Sequence, residues 1–253
     1  MNGSNSHNAA LPRLLNNKAQ PLKPVPMPKV AVCVPSGDMV HKGFAMCLFA
    51  LGYMSAQHGD MPGIPCAIVG TEGSLVVRNR NESVRHAREL GVDYLLFLDS
   101  DMTFPNWTLR RLLSHEKDIV GATYLQRDPP HRLLGVWDQG LQLTTDRLHK
   151  VDALPAGCLL IKMSVFDSMV EPFFRTPAFE ATADTPAHIQ GEDYYFCQQA
   201  GLAGIDVWLD AALTMELGHV GKQLVKIQAQ PEVPEVAANE QAEVPDGQAL
   251  ALH

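Results

Sequence analysis

The amino-acid sequence predicts an α/β protein in which helices flank a mostly parallel sheet and a mixed C-terminal extension follows. Short apolar runs alternate with helical patterns from residue 29 to residue 124. The run at 93–99 is apolar through its centre, as expected of a strand that helices cover on both faces. After Tyr124 this alternation gives way to shorter and less regular pieces, which predict the extension.

The first half of the folded region contains four predicted strands separated by three predicted helices. The strands cover residues 29–35, 66–70, 93–99 and 118–124. The helices cover residues 41–59, residues 79–90 and the sequence WTLRRLLSHE. In the first helix, one face carries Phe44, Cys47, Leu48 and Leu51, and Gly59 ends the pattern. Such a β-α-β-α-β-α-β order is typical of parallel strands joined by crossover helices.

The second half predicts short antiparallel strands and two further helices. The sequences typical of short antiparallel pieces are HRLLGVW, LQLTTD and HKVDALPAG, and CLLIKM predicts a longer strand. Helices are predicted near residues 164–170 and from Gly191 onward, before a strand with the sequence IDVWLD. We expect this half to form one wall of a pocket on the first half.

Charge and proline content divide the 253 residues into three parts. Residues 1–28 are basic and rich in proline, so we expect a flexible lead-in. Residues 29–226 form the predicted domain. Residues 227–253 carry five acidic side chains and no basic one, and we expect a flexible acidic tail there.

Composition excludes several classes of protein. The chain is 46% hydrophobic, which is too apolar for a disordered protein, and its net charge of −8 does not favour nucleic-acid binding. The five cysteines are scattered without a CxxC pair, so we expect a reducing cytoplasm and neither a disulfide framework nor structural zinc. No run of about 20 apolar residues predicts a membrane span, and the first residues do not predict a secretory signal.

An Asp99-Ser100-Asp101 sequence follows the third predicted strand. Ligands of open α/β sheets bind beyond the carboxyl ends of the strands, where two carboxylates can converge on one hard cation. The alternative is structural, because Asp is common at strand ends and helix N-caps. The motif alone does not decide between a cation-binding role and a structural role.

Two further motifs carry groups that could act with these carboxylates. Glu192 and Asp193 follow Gly191 at the start of a predicted helix, where they could reach a pocket rim or only complement the helix dipole. His219 lies between two glycines, which permit close backbone approach and provide little side-chain packing. Together with Asp101 it is a plausible metal ligand. Carboxylates and one imidazole without a thiolate suit Mn²⁺ or Mg²⁺.

The chain resembles GT-A (Rossmann-like) glycosyltransferases, in particular family 2-like enzymes and the catalytic domain of polypeptide N-acetylgalactosaminyltransferases. The resemblance covers about residues 29–221. It rests on six stretches in order: VAVCVPSGD, RNRNESVRHARELGVDYLLFLDSDMTFP, DIVGATYLQR, LPAGCLLIKMSVFD, GEDYYFCQQAGLAGIDVWLD and LGHVG. The QxxRW signature of processive polysaccharide synthases is absent after Glu192.

The resemblance implies roles for the three motifs. Asp101 would bind the divalent ion that bridges the donor diphosphate, Asp99 would lie near the donor ribose or that ion, and His219 would complete the protein ligands. Asp193 would be the catalytic base of an inverting reaction, with Glu192 beside it. The implied cofactor is Mn²⁺ or Mg²⁺.

The resemblance also implies a donor site. Pro35 and Asp38 would lie beside the nucleotide base, and Arg78 and Asn79 would contact the donor. The implied activity is metal-dependent transfer of a sugar from a UDP- or GDP-sugar to a hydroxyl group. The acceptor stays open between a soluble glycan, a protein, a small molecule and, in a viral setting, a hydroxylated DNA base.

Two rival functions stay open at this point. A sugar-nucleotide pyrophosphorylase would need a glycine-rich, basic loop after the first strand, whereas PSGDMVHKG offers Lys42 as its single basic residue. A non-catalytic nucleotide-sugar-binding module would bind the donor without turnover. The presence of Asp101, Asp193 and His219 together favours the enzyme.

Overall fold

The computed structural model describes residues 27–56, 61–182, 185–221 and 224–227. Its strands are β1 (Val30–Ser36), β2 (Cys66–Glu72), β3 (Tyr94–Leu98), β4 (Met102–Thr103), β5 (Ile119–Gly121), β6 (Leu148–Val151), β7 (Cys158–Lys162), β8 (Ala178–Phe179), β9 (His188–Ile189), β10 (Val207–Asp210), β11 (Gly218–Val220) and β12 (Leu224–Lys226). Its helices are α1 (Lys42–Ser55), α2 (Val76–Glu89), α3 (Thr108–Ser114), α4 (Glu192–Leu202), α5 (Ala211–Thr214) and a 3-10 helix at Met163–Ser168. The predicted lead-in and acidic tail, like the predicted helix end at Gly59, lie almost wholly outside the described residues.

The central sheet confirms the predicted α/β class. Its strand order is β2-β1-β3-β7-β5-β10-β6. Strands β1, β2, β3, β5 and β10 run in one direction, whereas β6 and β7 run in the other. The sheet is therefore mostly parallel, with helices on both faces.

The second half of the chain is mixed, as predicted, but it also contributes three strands, β6, β7 and β10, to the central sheet. β7 lies between β3 and β5 and pairs antiparallel with both. Its side chains are buried on both faces: Leu159 and Ile161 pack into one core, and Cys158 and Leu160 into the other. The first four residues of β7 are apolar and buried, and such a run fits the centre of a sheet, which explains why CLLIK inserts there.

Two apolar cores hold the helices against the sheet. One core contains Val84 and Ala87 of α2 and Phe196 of α4. The other contains Phe44 of α1 and Leu109 of α3. α2 begins at Val76, three residues before the predicted start, and Val77 in its first turn packs against the core that contains Val84 and Ala87.

A small sheet of order β12-β11-β4 lies beyond the end of β3. Because β4 follows Asp101 directly and β11 contains His219, this sheet brings two distant motifs to one place. No helix in the described ranges is long and apolar enough to cross a membrane.

Candidate functional site

A polar cleft of about 250 Å³ lies where β1 and β3 end, at the carboxyl edge of the parallel strands. Its walls come from the end of β1, the turn and first helical residues after β2, and the segment after β3. The lining residues are Pro35, Ser36, Gly37, Gly73, Ser74, Val76, Asn79, Asp99, Ser100 and Asp101. Because ligands of open α/β sheets bind at this edge, the cleft is the candidate binding site.

The cleft contains part of the predicted donor site. The predicted residues that line it are Pro35, Asn79, Asp99 and Asp101. Asp38 is exposed on the loop after β1 and is not among the lining residues. Arg78 is exposed on α2 and lines a separate cavity with Arg88 and Glu171. Successive residues of a helix point about 100° apart, so Asn79 faces the cleft and Arg78 does not.

Asp101 and His219 meet beside this cleft, although 118 positions separate them in the chain. Strand pairing places His219 opposite Met102, and the Val220 amide donates to the Asp101 carbonyl oxygen at 2.8 Å. His219 Nε2 lies 3.4 Å from Asp101 Oδ2. His219 Nδ1 donates to the Leu125 carbonyl oxygen at 3.0 Å. A carbonyl only accepts, so this bond fixes the ring and turns Nε2 towards the carboxylate.

A basic side chain adds to this pair. Arg127 Nη1 lies 3.0 Å from Asp101 Oδ2. Burial raises the pKa of Asp101, but its contacts with His219 and Arg127 outweigh burial, so this pKa lies below its usual range. Burial lowers the pKa of His219, but its bonds to Asp101 and to Leu125 outweigh burial, so this pKa lies above its usual range. Asp101 is therefore an ionised carboxylate at neutral pH.

The Asp101–His219 pair offers one carboxylate and one imidazole that could hold a hard divalent ion together with a substrate. Within the described ranges, no three His, Cys, Asp or Glu side chains form a group that could hold a metal alone. Mg²⁺ is commonly held by one or two carboxylates together with substrate phosphates and water, so a complete protein cage is not required. A ligating histidine usually donates its other ring nitrogen to a carbonyl or carboxylate, as His219 does to Leu125.

Arg80 connects the first acid of the Asp-Ser-Asp motif to α4. It is 2% exposed and lies over the Phe97 ring at 5.0 Å. Its Nη2 donates to both Asp99 oxygens at 3.0 and 3.1 Å, and its Nε donates to Glu192 Oε1 at 3.0 Å. Burial lowers the pKa of Arg80, but the carboxylates of Asp99 and Glu192 raise it by more. The pKa therefore lies above its usual value, and the guanidinium stays charged. One buried cation therefore links two acidic motifs.

Two buried polar atoms beside the cleft have no hydrogen-bond partner among the described residues. They are Asn79 Oδ1 and Arg80 Nη1. The Asn79 amide nitrogen donates to the carbonyl oxygens of Ser36 at 3.2 Å and Gly73 at 3.0 Å, which ties the end of β1 to the turn before α2. Unpartnered buried groups cost about 1–3 kcal/mol each.

Asp193 lies in the first turn of α4. Its Oδ1 accepts a bond from the Tyr194 amide at 2.8 Å and its Oδ2 accepts one from the Ala156 amide at 3.4 Å. Burial and the adjacent Glu192 raise the pKa of Asp193 to about 6, although Arg80 and the backbone amides oppose this. A carboxylate of this pKa can accept a proton near neutral pH.

Tyr124 connects the His219 side of the site to the Asp193 side. Its hydroxyl accepts a bond from the Gly157 amide at 3.1 Å. Its ring contacts the His219 ring edge-on, with centroids 5.0 Å apart. Gly157 follows Ala156, whose amide donates to Asp193. Tyr124 is 5% exposed, so its position is fixed by packing.

Gly157→Ala should destabilise the protein, because the added Cβ would overlap the Tyr124 hydroxyl oxygen and ring. Overpacking of this kind typically costs about 1–3 kcal/mol. The measurement is the free energy of unfolding in urea. Gly201→Ala is the matched control, since a Cβ there meets open space on α4 and the change should leave stability equal or increased by about 0.5–1 kcal/mol. Equal stability of the two variants would contradict the tight contact.

Comparisons with known proteins give the fold. No protein-family model matches this sequence, and no curated protein matches it either. Solved structures do match. The crystal structure of A197 from STIV superposes with a TM-score of 0.51 over 81% of this chain and 96% of that chain. The two sequences are 16% identical, so the likeness shows a shared fold and nothing about activity.

Three residues of the site were not predicted from the sequence: Arg80, Tyr124 and Arg127. A signal for Arg80 was available, since Arg80, Val84 and Ala87 recur at helical spacing and form the buried stripe of α2. A charged residue on such a stripe requires buried partners of opposite charge. The predicted strand at 118–124 contains Tyr124, but β5 ends at Gly121, and Tyr124 and Arg127 lie in the irregular segment after it, whose position the local pattern does not define.

Proposed function

We propose that this protein is a metal-dependent glycosyltransferase that uses a nucleotide-diphosphate sugar, a UDP- or GDP-sugar, as its donor. One observation carries the proposal: Asp101 and His219 meet beside a polar cleft at the carboxyl edge of the sheet. A carboxylate–imidazole pair at this edge suits the diphosphate of a nucleotide and its Mn²⁺ or Mg²⁺ ion.

Residues of the cleft would hold the donor. Pro35 and Asn79 line the wall on which the nucleotide would rest, and Asp99 and Asp101 line its acidic end. Asp101 and His219 would hold the ion, and Arg127 would add a positive charge beside the phosphates. The ion, when bound, neutralises the charge that develops on the leaving diphosphate.

Asp193 would accept the proton of the acceptor hydroxyl. As the acceptor oxygen forms its bond to the anomeric carbon, the bond from that carbon to the diphosphate oxygen breaks, and its electron pair leaves with the diphosphate. The acceptor proton passes to the Asp193 carboxylate. A single displacement of this kind inverts the configuration at the anomeric carbon. The acceptor is a hydroxyl group on a glycan, a protein, a small molecule or a DNA base. A cytoplasmic location would give the enzyme access to nucleotide sugars.

The test measures donor binding by thermal shift with UDP, GDP and their common sugar conjugates, each with Mn²⁺, with Mg²⁺ and with a chelator. We expect one nucleotide to stabilise the wild-type protein when the ion is present, because a ligand that binds only the folded state raises its stability. Asp101→Asn and His219→Gln should weaken apparent ion affinity roughly 10–100-fold or more. Asp118→Asn is the control, since this exposed acid lies at the opposite edge of the sheet, before β5.

Measurements of turnover distinguish a glycosyltransferase from a non-catalytic binding module and from a pyrophosphorylase. Ion-dependent release of the nucleotide diphosphate from the sugar donor supports transfer or its hydrolytic side reaction. Binding of the donor with no release under any acceptor tested would indicate a non-catalytic module. Exchange of pyrophosphate into a nucleotide triphosphate would indicate a pyrophosphorylase. Ion-dependent release that persists in Asp101→Asn would overturn the assignment of the metal site.

A further inference from the structure

α1 carries apolar side chains around its whole circumference. From Gly43 to Ser55 it contains no charged residue. It buries Phe44 and Leu51 against the sheet and leaves Phe49 73% exposed and Tyr53 63% exposed on its outer side. A helix that is apolar on all sides is normally buried on all sides.

The edge of the central sheet lies next to this helix. β2 is the outermost strand and pairs with β1 alone among the described strands. It is seven residues long, and it has none of the lysines, prolines or bulges that usually protect an edge. Ile68 of this strand is 66% exposed. An apolar groove of about 620 Å³ separates α1 from β2 and is lined by Phe49, Tyr53 and Ile68, among others.

The exposed apolar surface is large enough for a stable protein interface. We call it the α1–β2 face, and it comprises Met39, Val40, Met46, Phe49, Tyr53 and Ile68. Phe and Tyr side chains carry roughly 150–250 Å² each, and those of Met, Ile and Val are somewhat smaller. At the exposures of these six, the face amounts to on the order of 800 Å². That is comparable to one partner's share of a standard interface and lies above the largest apolar patch of most monomers, about 300–600 Å².

We propose that the α1–β2 face binds a second copy of this chain in a two-fold symmetric dimer. An edge strand can pair with itself in antiparallel orientation across a two-fold axis, and this pairing would satisfy its free backbone groups. The apolar surface of α1 would then pack across the same axis. The exposed charged residues next to this face in the chain are Asp38, before Met39, Lys42, at the start of α1, and Glu72, at the end of β2. Their net negative charge does not favour an anionic membrane.

The test is the molar mass of the full chain in solution by light scattering over a wide concentration range. We expect the wild-type protein to have twice the mass of the chain. Ile68→Lys places a charge on the strand edge, and Phe49→Glu places one on α1, so each should shift the protein to a single-chain mass. Val170→Lys is the matched control, because Val170 lies two residues after the 3-10 helix, is 84% exposed and is outside the α1–β2 face, and this variant should stay dimeric.

Hydrogen exchange distinguishes the occupants of the face. If the dimer forms there, amides of residues 66–72 should become more protected as concentration rises. Protection that is the same at every concentration, in a protein of single-chain mass, would assign the face to another segment of the same chain and overturn the proposal. A dimer that neither Ile68→Lys nor Phe49→Glu disrupts would also overturn it, as would a single-chain mass with binding to vesicles of neutral lipid. Unchanged circular dichroism of both variants checks that they fold.

Discussion

Arg80→Met should lower the free energy of unfolding by about 3–5 kcal/mol, the largest stability change expected of a single substitution at the site. Arg80 is buried and neutralises Asp99 and Glu192 at about 3.0 Å. Removing the guanidinium leaves two carboxylates close together, with 25% and 13% of their side chains exposed to water. A methionine fills most of the volume, so the loss reports the uncompensated charges rather than a cavity.

Chemical denaturation of Arg80→Met and of a matched control measures this effect. Arg85→Met is the control, because Arg85 lies about 1.4 turns further along the same helix, is 55% exposed and pairs with Glu82 and Glu89 on that helix. Exposed pairs of this kind contribute little, so the control should change stability by less than about 1 kcal/mol. Adding Glu192→Gln to Arg80→Met should recover part of the loss. If the effects of the two substitutions on the free energy of unfolding simply added, the ion pair would be contradicted.

Much of the fold could be predicted because its signals are local. The runs that form β1, β2 and β3 are short and apolar and end at Pro, Gly or Asp, and the helices between them show a helical period. The place of β7 could not be predicted in the same way. The sequence CLLIK predicts a strand, but its insertion between β3 and β5 depends on pairing with residues about 40 and 60 positions away. Short sequence patterns contain no information about such distant strand pairing.

The candidate site shows the same division between local and distant information. Asp99, Asp101 and Glu192 stand out because acids directly follow an apolar strand or begin a helix. The ion pairs that these acids make could not be predicted, because the partners are far apart in the sequence. Arg80 and Glu192, for example, are separated by 112 positions. The predicted pairing of Asp101 with His219 is present in the structure, since the register of β4 and β11 sets it. The role of that pair in metal binding stays a prediction for the experiments above.

Asp193→Asn should lower the rate of sugar transfer by about 10²–10⁴-fold while leaving donor binding nearly unchanged. The asparagine keeps the size of the side chain and can still accept the bond from the Tyr194 amide. It cannot accept the acceptor proton. Transfer rate at saturating donor and thermal shift by the donor measure the two quantities separately. Asp206→Asn is the control, because Asp206 is exposed at the opposite edge of the sheet, before β10. Near-full activity of Asp193→Asn would remove the base from the mechanism.

The pH dependence of the wild-type rate tests the same assignment independently. The pKa of Asp193 is raised to about 6, so the carboxylate is ionised above that pH and loses its capacity to accept a proton below it. The rate should therefore be half-maximal near pH 6 and fall about tenfold per unit at lower pH. Glu192→Gln removes a neighbouring charge that raises this pKa, so the acid limb of its profile should move to lower pH. A structural role for Glu192 alone would reduce the rate at every pH and leave the midpoint in place.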